Sequence, residues 1–210
     1  MKKVLLADDH AVVRHGVKQI LQGVPDIAVE AEAQTGDEAL EKLRSDSWDL
    51  AILDISMPGR TTLDILRLVR HERPQLPVLI LSMHSEDQFA VRMLRAGAAG
   101  YITKDSAPEE LITAVRRILM GGRYLSPMLA EQLALQVQPE RGHLPHDALS
   151  DREFQVMHLM ATGQTITGIA NTLSLSVKTV STYRARILDK LKLGTNAELI
   201  HYAYRNRLIE

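Results

Sequence analysis

A chain of 210 residues is long for one α/β domain and comfortable for two small ones. It has no cysteine, which excludes disulfides, thiol catalysis and cysteine-ligated zinc, and its net charge of -1 is that of an ordinary soluble protein. The first residues, with two lysines and only four apolar positions before Asp8 and Asp9, are too short for a signal peptide or membrane span. A cytoplasmic protein with no membrane contact is expected. Charge is distributed unevenly: residues 1–125 carry 16 Lys+Arg against 18 Asp+Glu, and residues 150–210 carry 8 against 5. A mildly basic C-terminal unit behind an acidic one suggests an anion-binding module on a regulatory domain.

Apolar, strand-like runs are predicted over 3–7, 28–33, 50–54, 78–82 and 100–103, alternating with helical patterns near 10–22, 36–45, 61–71, 86–96 and 107–120. The run at 50–53 shows no alternation, as expected of a strand buried on both faces. Thr35 with Glu38, Ser85 with Gln88, and Ser106 with Glu109 each fit a capping box. Strict β-α alternation with short connections implies a five-stranded parallel sheet covered on both faces, a (βα)5 domain.

In such a sheet every strand's carboxyl end lies on one edge, where open α/β folds place their chemistry. That edge collects Asp8 and Asp9, Asp54, Ser82 and Lys104. Crowded carboxylates repel, so one is protonated or a cation sits among them. Oxygen donors with no His or Cys nearby suit a hard ion, Mg²⁺. Lys104 offers a point charge to a carboxylate or a phosphoryl group, and Ser82 offers a hydroxyl donor. Each residue alone has an ordinary reading as a cap, a surface lysine or a strand end. Together they describe a carboxylate that accepts a phosphoryl group.

Asp8-Asp9, Asp54 with Met57-Pro58, Ser82, and the run from Gly97 to Lys104 resemble the receiver domain of two-component response regulators over residues 1–121. The resemblance implies a flavodoxin/CheY-like fold and phosphorylation of Asp54 by a sensor histidine kinase. It implies Mg²⁺ held by Asp9, Asp54 and the Ser56 carbonyl, with Asp8 acting through water. Ser82 and Tyr101 then form a switch pair, Lys104 neutralises the phosphoryl oxygen, and Ser56 and His84 tune its loss. One departure is Thr62, where the family usually has Gly. A β-branched residue is strained at φ > 0, so either the loop runs differently or Gly59 takes the unusual dihedral.

Gly121-Gly122 ends the last helix of this unit, and Ser126-Pro127 opens a short helix to about residue 137, with Leu129, Leu133 and Val137 at helical spacing. Residues 138–149 are polar with two prolines and read as a boundary within a linker at 122–147. His143 and His146 lie three apart without further ligands, so a solvated linker is the expectation there.

From residue 148 the pattern is helical. Ser150 with Glu153 forms a capping box, and helices are expected to about 161, over 166–173, over 177–191 and over 197–204. The second and third are joined by a short turn, a helix-turn-helix whose long helix can enter a DNA major groove. Its polar side carries Lys178, Thr179, Ser181, Thr182, Arg184, Ala185, Arg186 and Lys190. Basic and hydroxyl side chains suit phosphates and base edges. A solvated face of a small bundle is the plain alternative.

Leu149-Ser-Asp-Arg-Glu, Ile169-Ala170, the run from Leu175 to Tyr183, and Lys190-Leu191 resemble the LuxR-type DNA-binding domain over 148–208. With the receiver, the chain is similar to the NarL/FixJ family, and its Gly-Gly-Arg-Tyr-Leu-Ser-Pro run resembles the GacA branch. The resemblance implies a four-helix C-terminal domain that binds a double-stranded DNA operator as a homodimer. Ser181, Thr182 and Ala185 would face bases, and Lys178, Thr179, Arg184, Arg186 and Lys190 would lie near phosphates. RNA polymerase is a further possible partner. Gly168 departs from the Glu common in the family and lowers helix propensity by about 1 kcal/mol relative to Ala. A phosphoaspartate hydrolase, which needs a second acid where Ser56 stands, is the enzyme-class rival. A receiver that never takes phosphate, controlling DNA binding by dimerisation alone, is the second. A non-enzymatic transcription switch accounts for more of the residues than either.

Overall fold

The structure is a computed structural model that describes residues 1–83, 88–127, 129–131, 144–173, 175–206 and 208–209. The chain divides into two compact units, Met1–Leu135 and Gln136–Glu210.

In the first unit strands and helices alternate: β1 Lys2–Ala7, α1 Ala11–Gln22, β2 Ile27–Ala33, α2 Gly36–Ser45, β3 Leu50–Asp54, α3 Thr62–Glu72, β4 Val78–Ser82, α4 Gln88–Arg95, β5 Gly100–Thr103 and α5 Pro108–Leu119. The five strands form one parallel sheet in the order β2-β1-β3-β4-β5. Every residue of β3 and β4 is buried, which is why those runs lack polar alternation. On one face Val4, Leu6, Ile52, Leu79, Leu81 and Ile102 pack against Val17 and Leu21 of α1 and Leu111, Val115 and Ile118 of α5. Each such side chain contributes roughly 1.5–3 kcal/mol of transfer free energy.

The exposed edge of β5 is covered by the chain after α5. The Tyr124 N–H donates to the Ala99 carbonyl at 3.0 Å, and its hydroxyl donates to Glu110 Oε1 at 2.9 Å. Gly100 permits this approach, since a Cβ there would meet the Tyr124 carbonyl oxygen at 3.0 Å. Ser126 Oγ then accepts the Leu129 N–H at 3.1 Å, the start of the expected short helix. Leu133, Val137 and His143 lie outside the described residues.

Local signals were realised unevenly. Thr35 accepts the Glu38 N–H, but the Glu38 carboxylate takes the N–H of Gln34, one residue before the cap. Ser106 does not cap α5. Pro108 sets the first helical φ, Ala107 occupies the N-cap position, and the Ser106 hydroxyl lies 3.1 Å from Thr103 Oγ1. The Ser85 cap lies outside the described residues. Gly59 takes φ 82°, whereas Thr62 opens α3 with ordinary helical geometry. The Thr62 departure therefore brings no strain.

The second unit begins with a 3-10 turn at Pro145–Ala148, followed by α6 Asp151–Ala161, α7 Ile166–Thr172, α8 Val177–Leu191 and α9 Asn196–Arg205. Ser150 and Glu153 form the full capping box at α6. Thr165 Oγ1 accepts the Gly168 N–H at 3.1 Å, so Gly168 sits in a capped first turn, where its poor propensity matters least. Phe154, Met157, Ile169, Val180, Ile187, Leu191, Leu199 and Ala203 fill the core. The solvated-linker expectation fails at His146, which is 1% exposed. Its Nδ1 lies 2.9 Å from the Tyr202 hydroxyl, and its ring packs against Phe154 and Tyr202. The preceding proline and polar neighbours conceal a ring that this core needs.

Among the described residues no helix is long and apolar enough to cross a membrane.

Candidate functional site

The strand order reverses between β1 and β3, and the carboxyl ends of these two strands bound a crevice at the switch point. Asp8 follows β1 and Asp54 ends β3; their side chains are 0% and 2% exposed. Lys104, one residue beyond β5, reaches back across β4, with Nζ 2.7 Å from Asp8 Oδ2 and 3.1 Å from Asp54 Oδ2. Its backbone N–H donates to the Ser82 carbonyl at 2.7 Å, which holds the lysine at the end of β4. Ser82 and Tyr101 are both fully buried.

Burial, with the Asp8 charge adding to it, pushes the Asp54 carboxyl up to about 6 against the pull of Lys104. Near pH 7 most Asp54 is still ionised and nucleophilic. Burial opposes the Lys104 ammonium, but Asp54 and Asp8 outweigh it and hold that lysine above its ordinary value. Lys104 compensates Asp8 and Asp54 at ion-pair distance, through charge and side-chain hydrogen bonds together. Asp8 Oδ2, Asp9 Oδ1 and Asp54 Oδ2 are buried oxygens of one crevice. Such oxygens are suited to a divalent ion.

A histidine stands beside the acids of the crevice. Ligand atoms of Asp8, Asp9, His10 and Asp54 all lie within 4.8 Å of one another. The expectation of oxygen donors with no histidine nearby is thus corrected: His10 heads α1, where its backbone N–H donates to Asp8 Oδ1 at 2.8 Å, and its ring turns toward the acids. The signal was legible as the residue after Asp8-Asp9.

The loop carrying Ser56 is pinned at three points. The Ser56 N–H donates to the Asp54 carboxylate. The Gly36 N–H donates to the Pro58 carbonyl at 2.9 Å. Thr62, 1% exposed, donates its hydroxyl to the Asp54 carbonyl oxygen. Arg14 is a further buried member, giving Nη1–H to the Asp8 carbonyl at 2.7 Å while pairing with Glu32 at 3.2 Å. An arginine on a helix that packs against a sheet was the available sign of that role. His84 lies outside the described residues.

In the second unit α7 and α8 form the helix-turn-helix, closed by the Leu175 N–H donating to the Ala170 carbonyl at 2.8 Å. Ile169, Ala170, Leu173 and Val180 are buried at the junction. Along α8 Lys178, Ser181, Thr182, Ala185, Arg186 and Lys190 are exposed, and Thr179 and Arg184 are half-buried. Ser181 and Thr182 donate to the carbonyls of Val177 and Lys178. Their hydroxyls can still accept. Arg184 Nε donates to Asn196 Oδ1 at 2.7 Å. Lys190 Nζ lies 2.6 Å from Glu153 Oε2 and 3.3 Å from the Ala148 carbonyl. Burial raises Glu153, but Lys190 and the Ser150 N–H overcome it and hold that carboxyl low. Lys190 thus serves the bundle's own structure, whatever it does with phosphate.

A parallel-sheet unit with an acidic crevice and a buried lysine, followed in sequence by a helix-turn-helix bundle, defines a two-domain signalling regulator. Residues 4–116 match the response regulator receiver domain, and residues 147–203 match the bacterial regulatory proteins of the luxR family. The chain belongs to the two-component response regulators that join a receiver to a LuxR-type DNA-binding domain. It is 38% identical to the response regulator UvrY of Escherichia coli K12 over 209 residues, covering 99% of this chain and 96% of UvrY. It is 37% identical to the response regulator GacA of Pseudomonas aeruginosa over 211 residues, covering 100% and 99%. Among solved structures, RcsB of Salmonella enterica serovar Typhimurium, bound to promoter rprA with the phosphomimetic BeF3-, aligns with TM-score 0.66 at 25% identity. That alignment covers 96% of this chain and 97% of RcsB. Proteins of this class regulate transcription and are not classical enzymes; their receivers generally bind Mg²⁺.

Proposed function

We propose that this chain is a phosphorylation-switched transcription regulator in which Asp54 is the phosphoacceptor. The observation that carries the reading is the Asp54 carboxylate, buried, mostly ionised near pH 7, and 3.1 Å from the Lys104 ammonium. A sensor histidine kinase would supply the phosphoryl group. An Asp54 carboxylate oxygen attacks phosphorus, the new P–O bond replaces the P–N bond of phosphohistidine, and the imidazole leaves with the electron pair. A Mg²⁺ ion held by Asp9, Asp54 and the Ser56 carbonyl, with Asp8 behind water, would neutralise charge on the transferring oxygens.

Lys104 leaves the unphosphorylated carboxylate pair to hold a phosphoryl oxygen, and Ser82 donates its hydroxyl to another. Tyr101, packed inward, follows the movement of Ser82 and carries it to the surface of the receiver. Ser56 and His84 govern access of hydrolytic water. The output is homodimerisation and binding of α8 to an operator, with Ser181, Thr182 and Ala185 toward bases. Lys178, Thr179, Arg184, Arg186 and Lys190 lie toward phosphates, and RNA polymerase is the downstream partner. The protein acts in the cytoplasm. The receiver spans 1–121 and the DNA-binding domain 148–210.

The test uses full-length protein and a duplex selected by it from a random pool, at one stated salt concentration. Affinity and dimerisation are measured with and without acetyl phosphate and Mg²⁺, for wild type and Asp54→Ala. Tightening confined to wild type supports the switch. Equal binding by both proteins under both conditions overturns it and leaves only the DNA-binding reading.

A further inference from the structure

We propose that Thr62 is a positioning residue for the Asp54 nucleophile: its hydroxyl fixes the peptide that follows Asp54, and through it the direction from which the carboxylate meets phosphorus. The inference rests on the reading of Asp54 as the phosphoacceptor and adds to it a residue that touches no reacting atom.

The Thr62 hydroxyl is buried at the start of α3, donates to the Asp54 carbonyl oxygen and lies 3.5 Å from the Ile55 carbonyl. It therefore grips the Asp54–Ile55 peptide at its oxygen. One residue further on, the Ser56 N–H donates to the Asp54 carboxylate. Rotating the Asp54–Ile55 peptide would carry that N–H away from the carboxylate, so the two bonds depend on each other. Ile55 and Met57 are buried on either side of Ser56. The middle of the loop is held separately, from α2. A Cβ at Gly36 would meet the Arg60 carbonyl oxygen at 1.9 Å, so the loop lies against bare backbone there. Thr62 is what fastens the loop's end to the strand that carries the nucleophile.

Asp54 is 2% exposed, so little water reaches its carbonyl if the hydroxyl is removed. A buried acceptor left without a donor is costly, and the peptide turns to find another. The carboxylate moves with it. Phosphoryl transfer needs the attacking oxygen in line with the leaving group, and small misplacements cost large factors in rate. Attraction of the phosphodonor to the Lys104 ammonium, by contrast, is a matter of charge and tolerates such a shift. Loss of the hydroxyl is thus expected in the maximal rate rather than in the donor concentration required.

The experiment phosphorylates full-length protein with acetyl phosphate at saturating Mg²⁺ and follows the product by intact-protein mass spectrometry. The proteins are wild type, Thr62→Val, Thr62→Ser and Val69→Ala, at a temperature where circular dichroism shows all four folded. Val69 is buried two turns along α3, and its truncation lowers stability without removing a hydrogen bond. The expected result is a fall of about tenfold in the maximal rate of Thr62→Val, with half-saturating acetyl phosphate changed by under about twofold. Thr62→Ser should stay within about twofold of wild type, and Val69→Ala should match it. A valine variant that reacts at the wild-type rate overturns the role of Thr62 and leaves Asp54 as the acceptor. A loss confined to half-saturation, or an equal loss in Val69→Ala, overturns it as well. If wild type takes no phosphoryl group, both readings fall.

Discussion

Thr62 donates its side-chain hydroxyl to the backbone carbonyl of Asp54, tying the first turn of α3 to the last residue of β3. The bond closes the loop that carries Ser56 and fixes the direction in which the Asp54 side chain leaves the sheet. Thr62→Val keeps the shape but removes the donor, stranding a buried carbonyl at a cost of about 1–3 kcal/mol. Thr62→Ser restores most of it. Thermal unfolding of the full chain, followed by far-ultraviolet circular dichroism, checks the order wild type, Ser, Val. A valine variant as stable as wild type refutes the tie.

Asp54 gives a pH signature. Its folded value of about 6 lies above its ordinary 3.8, so the native state binds the proton more tightly than the unfolded chain. Stability from this group is complete below about pH 3.8 and is lost as pH rises through 6. Asp54→Asn removes that loss. In chelator-treated protein the variant should be more stable at pH 8 by up to about 3 kcal/mol, two pH units at 1.36 kcal/mol each. The difference should close near pH 4. Melting curves of both proteins across that range decide it, and a gap that widens on acidification has the wrong sign.

Lys190 is expected to matter without DNA. It is the partner of Glu153, a carboxylate 4% exposed that also caps α6. Lys190→Met leaves that charge buried and should destabilise the C-terminal unit by roughly 1–3 kcal/mol. Glu153→Gln in the same chain should recover part of the loss. A double-mutant cycle by urea unfolding measures the coupling, and a value near zero makes Lys190 a surface residue only.

Lys192 follows α8 in the left-handed region at φ 56°, the one non-glycine residue there among those described. The Leu193 N–H donates to the Leu188 carbonyl at 2.9 Å, completing the helix terminus. A side chain in this conformation costs about 1 kcal/mol, so Lys192→Gly should stabilise by roughly that amount. The shift in melting temperature tests it. Lys192→Ala, which keeps the Cβ, should give none.

The sheet was readable because burial on both faces writes itself as consecutive apolar residues, as at Leu50–Leu53, and because polar residues such as Asp54, Ser82 and Thr103 close the later strands. Asp8, Asp54 and Lys104 could be placed together for the same reason: parallel topology sends all those ends to one edge. What was not readable depends on side chains that reach across several turns of chain. Thr62 reads as a departure from a pattern until its hydroxyl is seen to meet a carbonyl eight residues back. Ser106 loses its cap to Pro108 because a fixed φ outranks a spacing rule. His146 follows Pro145 in a polar stretch, and only the packed Phe154 and Tyr202 rings show that it is core. His10 was passed over because the acids beside it suggested oxygen chemistry.

β1 pairs with β2 on one side and β3 on the other, so the centre of the sheet is assembled from segments made far apart in time. At roughly 5–20 residues per second, about 2–10 s pass between synthesis of Asp9 and synthesis of Asp54. During that interval the first βαβ unit of the domain carries one flank of the crevice without the other. The docking of β3 extends the sheet past its first strand pair and brings Asp54 beside Asp8. A nascent chain is therefore deaf to its kinase until its hydrophobic core has closed.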